Sequence, residues 1–308
     1  MDILGAFIVI AGLVVFEIVN SIDNAIVNAY VLKTMNERWR KIFLFWGLLI
    51  AVFVVRGVLP FFIVWLTVPG IGFIEAFHAM FSGSAAVAEA IETGKPMILM
   101  GAGVFLFMLY LHWLFLEKKE PFFVADKFIK PNYGIWFFAC AALLLVSLLY
   151  LARQNPMLML SAAVGNAAFF ILYGFREQAE KQSEMLKEKA AEMSNFSKFL
   201  YLEVLDASFS FDGVLGAFAF TTSVPLILVG NGIGALIVRE LTIKGVDRVA
   251  AYKYLKNGAM TSIGFLGFII VSESFGLEFP GFLPTLITLL FVGVAFWFSH
   301  RLNKKGAN

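Results

Sequence analysis

Along this chain, long apolar runs alternate with short polar segments, and the runs are too long for the core of a soluble domain. Nine of them have 17 or more residues: about 3–31, 42–66, 97–116, 135–152, 157–175, 199–221, 224–243, 257–275 and 282–299. A helix of roughly 20 apolar residues crosses the ~30 Å hydrocarbon core of a bilayer. The pattern therefore predicts an all-α polytopic membrane protein with about nine transmembrane helices. The first run has no basic segment ahead of it and continues too far for a cleavable leader, so it reads as the first span.

Two segments fit neither description. Residues 70–93 are too polar to cross and read as an interfacial segment on the outer side. Residues 176–198 alternate Glu and Lys at helical spacing, including Glu177 and Lys181, and read as a charged cytoplasmic helix.

The polar connections set the orientation. If the N-terminus is outside, the inner segments hold 20 of the 24 Lys and Arg, and the outer segments hold only Lys95 and Arg153. Arg56 and Arg239 lie within or at the end of spans. By the positive-inside rule the N-terminus is outside and the C-terminus cytoplasmic, as in a bacterial inner membrane. Composition agrees, with 60% hydrophobic and 15% charged residues. The single cysteine, Cys140, excludes an internal disulfide. His78 reads as a surface histidine, His112 as interfacial, and Met97, Met100 and Met108 as packing residues.

Two of the runs carry acids. Residues 14–32 read VVFEIVNSIDNAIVNAYVL, and residues 200–217 read LYLEVLDASFSFDGVLGA. Each has a glutamate followed by Ser-x-Asp: Glu17 with Ser21 and Asp23, then Glu203 with Ser210 and Asp212. Asp206 is added in the second copy. The first run passes from outside to inside and the sixth from inside to outside, so the echo predicts an inverted repeat of three-helix units. The expected organisation is 1–116 for the first repeat (spans one to three), 117–175 for linking spans four and five, 176–198 for the charged helix, 199–275 for the second repeat (spans six to eight), and 276–308 for span nine and a basic tail. Secondary transporters built on such repeats bind substrate near the midplane at the repeat interface.

At 100° per residue, Glu17, Ser21, Asn24 and Asn28 share a helical face, as do Glu203, Asp206 and Ser210. Asp23 lies about 120° from Glu17, and Asp212 about 180° from Glu203. A mid-membrane charge facing lipid costs at least ~2.5–3.5 kcal/mol. Hence either the helices break near Ser21–Asn24 and Ser208–Gly213, or other protein covers the second face. The five carboxylates are then expected at one midplane region, with Asn20, Asn231, Arg56 and Arg239 lining or pairing, and Asn166 as a further candidate. Two arginines cannot neutralise five carboxylates, so a purely structural ion-pair network is the weaker reading. Hard oxygen ligands suit Mn²⁺, Mg²⁺ or Ca²⁺ better than Cu⁺ or Zn²⁺. Cation binding would expel protons, a route to antiport.

These acidic segments, with LVGNGIGALIVREL, YLKNGAMTSIGFLGFIIV, LPTLITLLF and MGAGVFLFMLYLHWLF, resemble the TerC family of integral membrane proteins within the LysE transporter superfamily. The resemblance covers most of the chain, with spans four and five and residues 70–93 the least matched. It departs at Gly213, where that family often carries serine. It implies metal-ion transport, chiefly manganese export, with Glu17, Asp23, Glu203, Asp206 and Asp212 as metal-binding positions and Asn24 and Asn231 as neutral neighbours. The expected function is a secondary transporter rather than an enzyme, exporting a divalent cation, with lipid, the cation and protons as partners. Nucleic acid and an organic cofactor are not expected, and the oligomeric state stays open. The alternatives are a membrane subunit of a metal or tellurite stress-response complex, and an intramembrane aspartate-dependent enzyme.

Overall fold

The computed structural model describes residues 3–47, 49–50, 57–58, 65, 72–74, 77, 85–124, 134–189, 193–244 and 251–305, apart from some side chains within helices. Among them there is no strand. The helices are α1 (Ile3–Asn20), α2 (Ile22–Lys33), α3 (Glu37–Ile42), a π-helical turn (Phe43–Gly47), α4 (Ala85–Leu116), α5 (Gly134–Leu151), α6 (Pro156–Lys189), α7 (Asn195–Ala217), α8 (Val224–Lys244), α9 (Leu255–Ser274) and α10 (Leu283–Lys305).

Seven of the described helices are long and apolar enough to cross a membrane, in α1, α4, α5, α6, α8, α9 and α10. The second expected span, 42–66, lies mostly outside the described residues. The sixth exists as α7, but Lys198, Glu203, Asp206 and Asp212 make it too polar to qualify on composition alone. The chain is a multi-pass membrane protein, and lipid covers its outer helices.

Depth in the bundle separates the helices. The apolar windows of α4 and α9 are 78% and 83% buried, against 17% and 22% for α5 and α6, so α4 and α9 form the centre. Helices in lipid gain little from hydrophobicity alone and associate through close packing of small residues. Here Gly103 of α4 faces Val271 of α9, and Gly267 of α9 approaches the Gly103 carbonyl. On the other flank of α4, Gly165 of α6 sits directly on the backbone of Gly101. Met100 and Met108 are fully buried in this core and Met97 nearly so.

Two segments are organised differently from the sequence reading. Residues 176–189 are not a separate helix: α6 continues through them from Pro156. The chain then turns, and Ser194 caps α7 by accepting a hydrogen bond from the Ser197 amide at 3.1 Å. Residues 85–93 belong to α4, ahead of Pro96, so this part of 70–93 is the start of the helix that carries the third expected span. Most of the remainder of 70–93, including His78, lies outside the described residues.

Candidate functional site

The site begins with a kink. Between α1 and α2, Ser21 has φ −94° and ψ 2°, outside the helical well. The backbone ladder nevertheless carries across it, with Ser21 N bonded to Glu17 O at 3.0 Å and Ala25 N to Ser21 O at 2.9 Å. The break expected at Ser21–Asn24 is thus a bend without unwinding. The Ser21 hydroxyl donates to Glu17 Oε1 at 2.6 Å, both residues being buried. This is the i, i+4 pair that the shared helical face implies.

Helix α7 runs antiparallel to α1–α2 in a fixed register. Asn36 N donates to Asn195 Oδ1 and Lys198 Nζ to Thr34 O, both at 3.0 Å. Further along, Glu17 meets Gly213 and Phe16 meets Gly216. A Cβ built on Gly213 would stand 2.8 Å from Glu17 Oε2 and 3.7 Å from Asn20 Nδ2. The glycine therefore supplies the space that the carboxylate occupies. Asp212, its neighbour, is buried at the same level.

Helix α8 closes the other side. It lies parallel to α1, with Gly230 against Leu13 and Gly234 against the Cβ and Cγ of Glu17, 2.6 and 2.7 Å from a built Cβ. Glycines four apart allow two helices to approach closely. Glu17 thus sits in a notch between Gly213 and Gly234 and is 0% exposed. Asn231, fully buried, belongs to the same stretch of α8. The Gly230-x-x-x-Gly234 spacing was visible in the sequence, yet the reading there rested on Asn231 and passed over it.

A second polar pocket lies nearer the start of α7. A Cβ on Gly47 would collide with Glu203 Oε1 and stand 3.1 Å from Arg239 Nη2. Arg239 lies over the Phe43 ring, 4.5 Å from its centre, and donates to Leu44 O at 3.4 Å. The π-helical turn therefore offers both a ring and a carbonyl to the guanidinium. Asn28, buried on α2, is level with Glu203 in the antiparallel register. Asp206 is half-buried, and Ser210, fully buried, donates its hydroxyl to the Asp206 carbonyl at 2.7 Å.

The expected convergence of five carboxylates on one midplane region is therefore corrected. Helix α7 is unbroken from Asn195 to Ala217, including Ser208–Gly213. Nine residues at 1.5 Å each separate Glu203 from Asp212 by about 13 Å along the axis. Neighbouring helices cover Asp212, which is the second of the two options the sequence left. Among the described residues no three of His, Cys, Asp and Glu come close enough to hold a metal ion. The side chains of Asp23 and Asn24, and Arg56 altogether, lie outside the described residues. Asn166, on α6, lies away from both pockets on the outer layer of the bundle.

His112 sits in an aromatic box of Phe137, Phe169 and Tyr173, with Nδ1 3.6 Å from Glu117 Oε1. Lys256 completes the contact at 2.6 Å from Glu117 Oε2, joining α4 to α9.

Comparison with known proteins assigns the family. Residues 22–306 match the family described as protein of unknown function, DUF475. The chain belongs to that family. It is also 24% identical over 132 residues to an uncharacterised membrane protein, YceF, of Bacillus subtilis (strain 168), covering 42% of this chain and 51% of the relative. The match thus spans about half the length of that relative. No solved structure matches the chain. The family assignment overturns the TerC and LysE resemblance, because DUF475 is a different family. What the acidic segments share with TerC proteins is a short pattern.

Proposed function

We propose that this protein is a secondary transporter for a divalent metal cation taking hard oxygen ligands, with Mn²⁺ the first candidate beside Mg²⁺ and Ca²⁺, and with protons as the exchanged ion. The observation that carries the reading is Glu17, fully buried in a glycine-lined notch within the bundle, with Asp212 buried at the same level. Ionisable groups inside a membrane are expensive to keep and mark ion paths by default. Glu17 and Asp212 would supply charge at the ion site, with Ser21 and Asn20 orienting it and Asn231 adding amide oxygen. Glu203 and Arg239 would form the inner end of the path.

An inverted repeat of the kind the sequence suggests would support alternating access at this place. A two-fold axis in the membrane plane would exchange α1–α2 with α7, the segment from α3 through the π turn with α8, and α4 with α9. It would make the α1–α7 and α4–α9 contacts self-related and the α1–α8 contact equivalent to that of α7 with the π turn. All of these contacts occur. In this reading the N-terminus is outside and the C-terminus is in the cytoplasm.

The test is Mn²⁺ flux in proteoliposomes, with and without a pH gradient, beside Ca²⁺, Mg²⁺ and Zn²⁺. Glu17→Gln and Asp212→Asn should each lower the flux about tenfold or more, a barrier increase of about 1.4 kcal/mol or above. Unchanged flux in both variants, or no flux of any cation from folded protein, would reject the transporter.

A further inference from the structure

A cavity of about 510 Å³ opens at the end of the bundle where α1 begins and α7 ends. Its walls come from the first turns of α1, the outer part of α4, the end of α9 and the approach to α10. Lys95, Glu273, Thr221 and Thr222 give it polar character, and Phe218 and Phe220 lie on its inner side. A divalent cation with six waters needs about 180 Å³ at about 30 Å³ per water, so the cavity admits the hydrated ion.

The inner side is a barrier with a definite structure. The rings of Phe220 and Phe16 are 5.5 Å apart and tilted by 53°. Both residues are almost fully buried. Gly216 makes room for the Phe16 ring, and Gly12 makes room for Phe220. Phe16 directly precedes Glu17, and Gly216 lies one turn of α7 beyond Gly213. About 4.5 Å of the α7 axis therefore separates the glycine that receives the Phe16 ring from the one that receives the Glu17 carboxylate.

We propose that this cavity is the outer vestibule of the ion pathway, and that Phe16 and Phe220 are the gate between it and the Glu17–Asp212 level. The inference rests on the transport reading given above. Apolar constrictions close a path by excluding water, which suits two packed rings without polar atoms. The vestibule itself is built to pass ions without trapping them. Its lining holds the Lys95 ammonium as well as the Glu273 carboxylate, and a pathway conducts only where binding is weak enough to release. Gly216 admits the tip of the Phe16 ring, and Gly12 admits the edge of Phe220 beside Thr285, so a small separation of α1 from the end of α7 would part the two rings.

Cysteine accessibility tests this without requiring ion movement. Cys140 is the only cysteine in the chain and is replaced by alanine. Thr222→Cys then reports the vestibule, and Ser21→Cys reports the space below the gate. A charged, membrane-impermeant thiosulfonate is applied to sealed vesicles of each orientation. Thr222→Cys should react from the face that carries the N-terminus of α1. Ser21→Cys should resist from that face and react at least tenfold faster when Phe220→Ala or the more conservative Phe16→Leu is added. Each double variant is first shown to elute as a single monodisperse species. No reaction at Thr222→Cys, or an unchanged Ser21→Cys rate in a folded gate variant, overturns the proposal. Accelerated labelling without cation flux would keep the gated route and end the transport reading. Flux lost in Asp212→Asn with unchanged labelling would keep the transporter and end the gate.

Discussion

Glycines do opposite work in two seams of this bundle. Where α4 meets α9 and α6, Gly101, Gly165 and Gly267 come against a neighbour's backbone, and Gly103 receives the branched side chain of Val271. Where α1 meets α7 and α8, Gly213 and Gly234 bring a helix against the side chain of Glu17. The first seam is apolar and central, and its closest contact, Gly165 on Gly101, ends on main-chain atoms that cannot rotate away. The second encloses a carboxylate, a kink and a hydroxyl. Small residues thus build a scaffold in one place and a pocket in the other. The difference lies in what fills the missing Cβ.

That difference predicts different responses to the same substitution. Gly165→Ala should be the most damaging change, because its Cβ would run into the Gly101 carbonyl and main chain. Overpacking against immovable backbone should cost about 4 kcal/mol, and better helix propensity returns about 1, for a net loss of about 3. Thermal unfolding in detergent would read this as a large fall in Tm. A variant as stable as the parent would show that α4 and α6 can slide, and that this seam is not the rigid one.

Ser21→Ala comes next. It removes the hydroxyl that donates to Glu17 Oε1 at 2.6 Å inside the bundle. A buried hydrogen bond to a charged group contributes about 1.5–3 kcal/mol. Stability should fall by about 2 kcal/mol, and Mn²⁺ flux should fall with it because Glu17 loses its orientation. Ser21→Thr keeps the hydroxyl and should recover most of both. Equal losses in the alanine and threonine variants would assign the residue to packing alone.

Gly213→Ala should separate stability from function most cleanly. The new methyl meets only the mobile end of Glu17, at 2.8 Å from Oε2. The gain in helix propensity, about 1 kcal/mol, should leave the net change in stability within about 0.5 kcal/mol. The carboxylate must nevertheless move, so flux should drop about tenfold, equivalent to about 1.4 kcal/mol on the barrier. A large stability loss with normal flux would reverse the roles given to the two seams.

How far the sequence led to these seams depends on which physical signal each needed. The spans were legible because lipid demands long apolar runs. The Glu17–Ser21 pair was legible because a four-residue spacing places both on one face. Gly213 was not, since a glycine after an aspartate reads equally as a bend or as room for a neighbour, and only the packing of α1 decides. The convergence of all five acids was over-read: the 180° between Glu203 and Asp212 already argued for two pockets unless α7 broke. Continuous helix through Lys189 was missed because charge alternation marks the end of lipid, not the end of a helix. Between Tyr173 and Lys189 there is no proline to stop it. The family went astray for a related reason, since short acidic patterns weigh little against a family match that runs over residues 22–306.

A charge pair outside both seams is the smallest test and the control for the rest. Glu37 opens α3, and its carboxylate accepts from Lys41 Nζ at 2.7 Å in full contact with solvent. The hydrogen bond and charge of Lys41 hold Glu37 below its ordinary value of 4.5. A depressed carboxylate stabilises the fold above its unfolded-state value, and that contribution is lost as pH falls through the depressed one. Solvent-exposed pairs of this kind contribute little. Glu37→Gln should therefore lower Tm barely measurably at about pH 7, and the difference from the parent should vanish once the pH has fallen below the depressed value, where both carry a neutral side chain. Flux should be the same in both at neutral pH. A difference that instead grew on acidification would have the wrong sign for a depressed carboxylate. A flux change in this variant would mean that charge far from Glu17 also governs transport, and the contrast between the two seams would no longer locate the site.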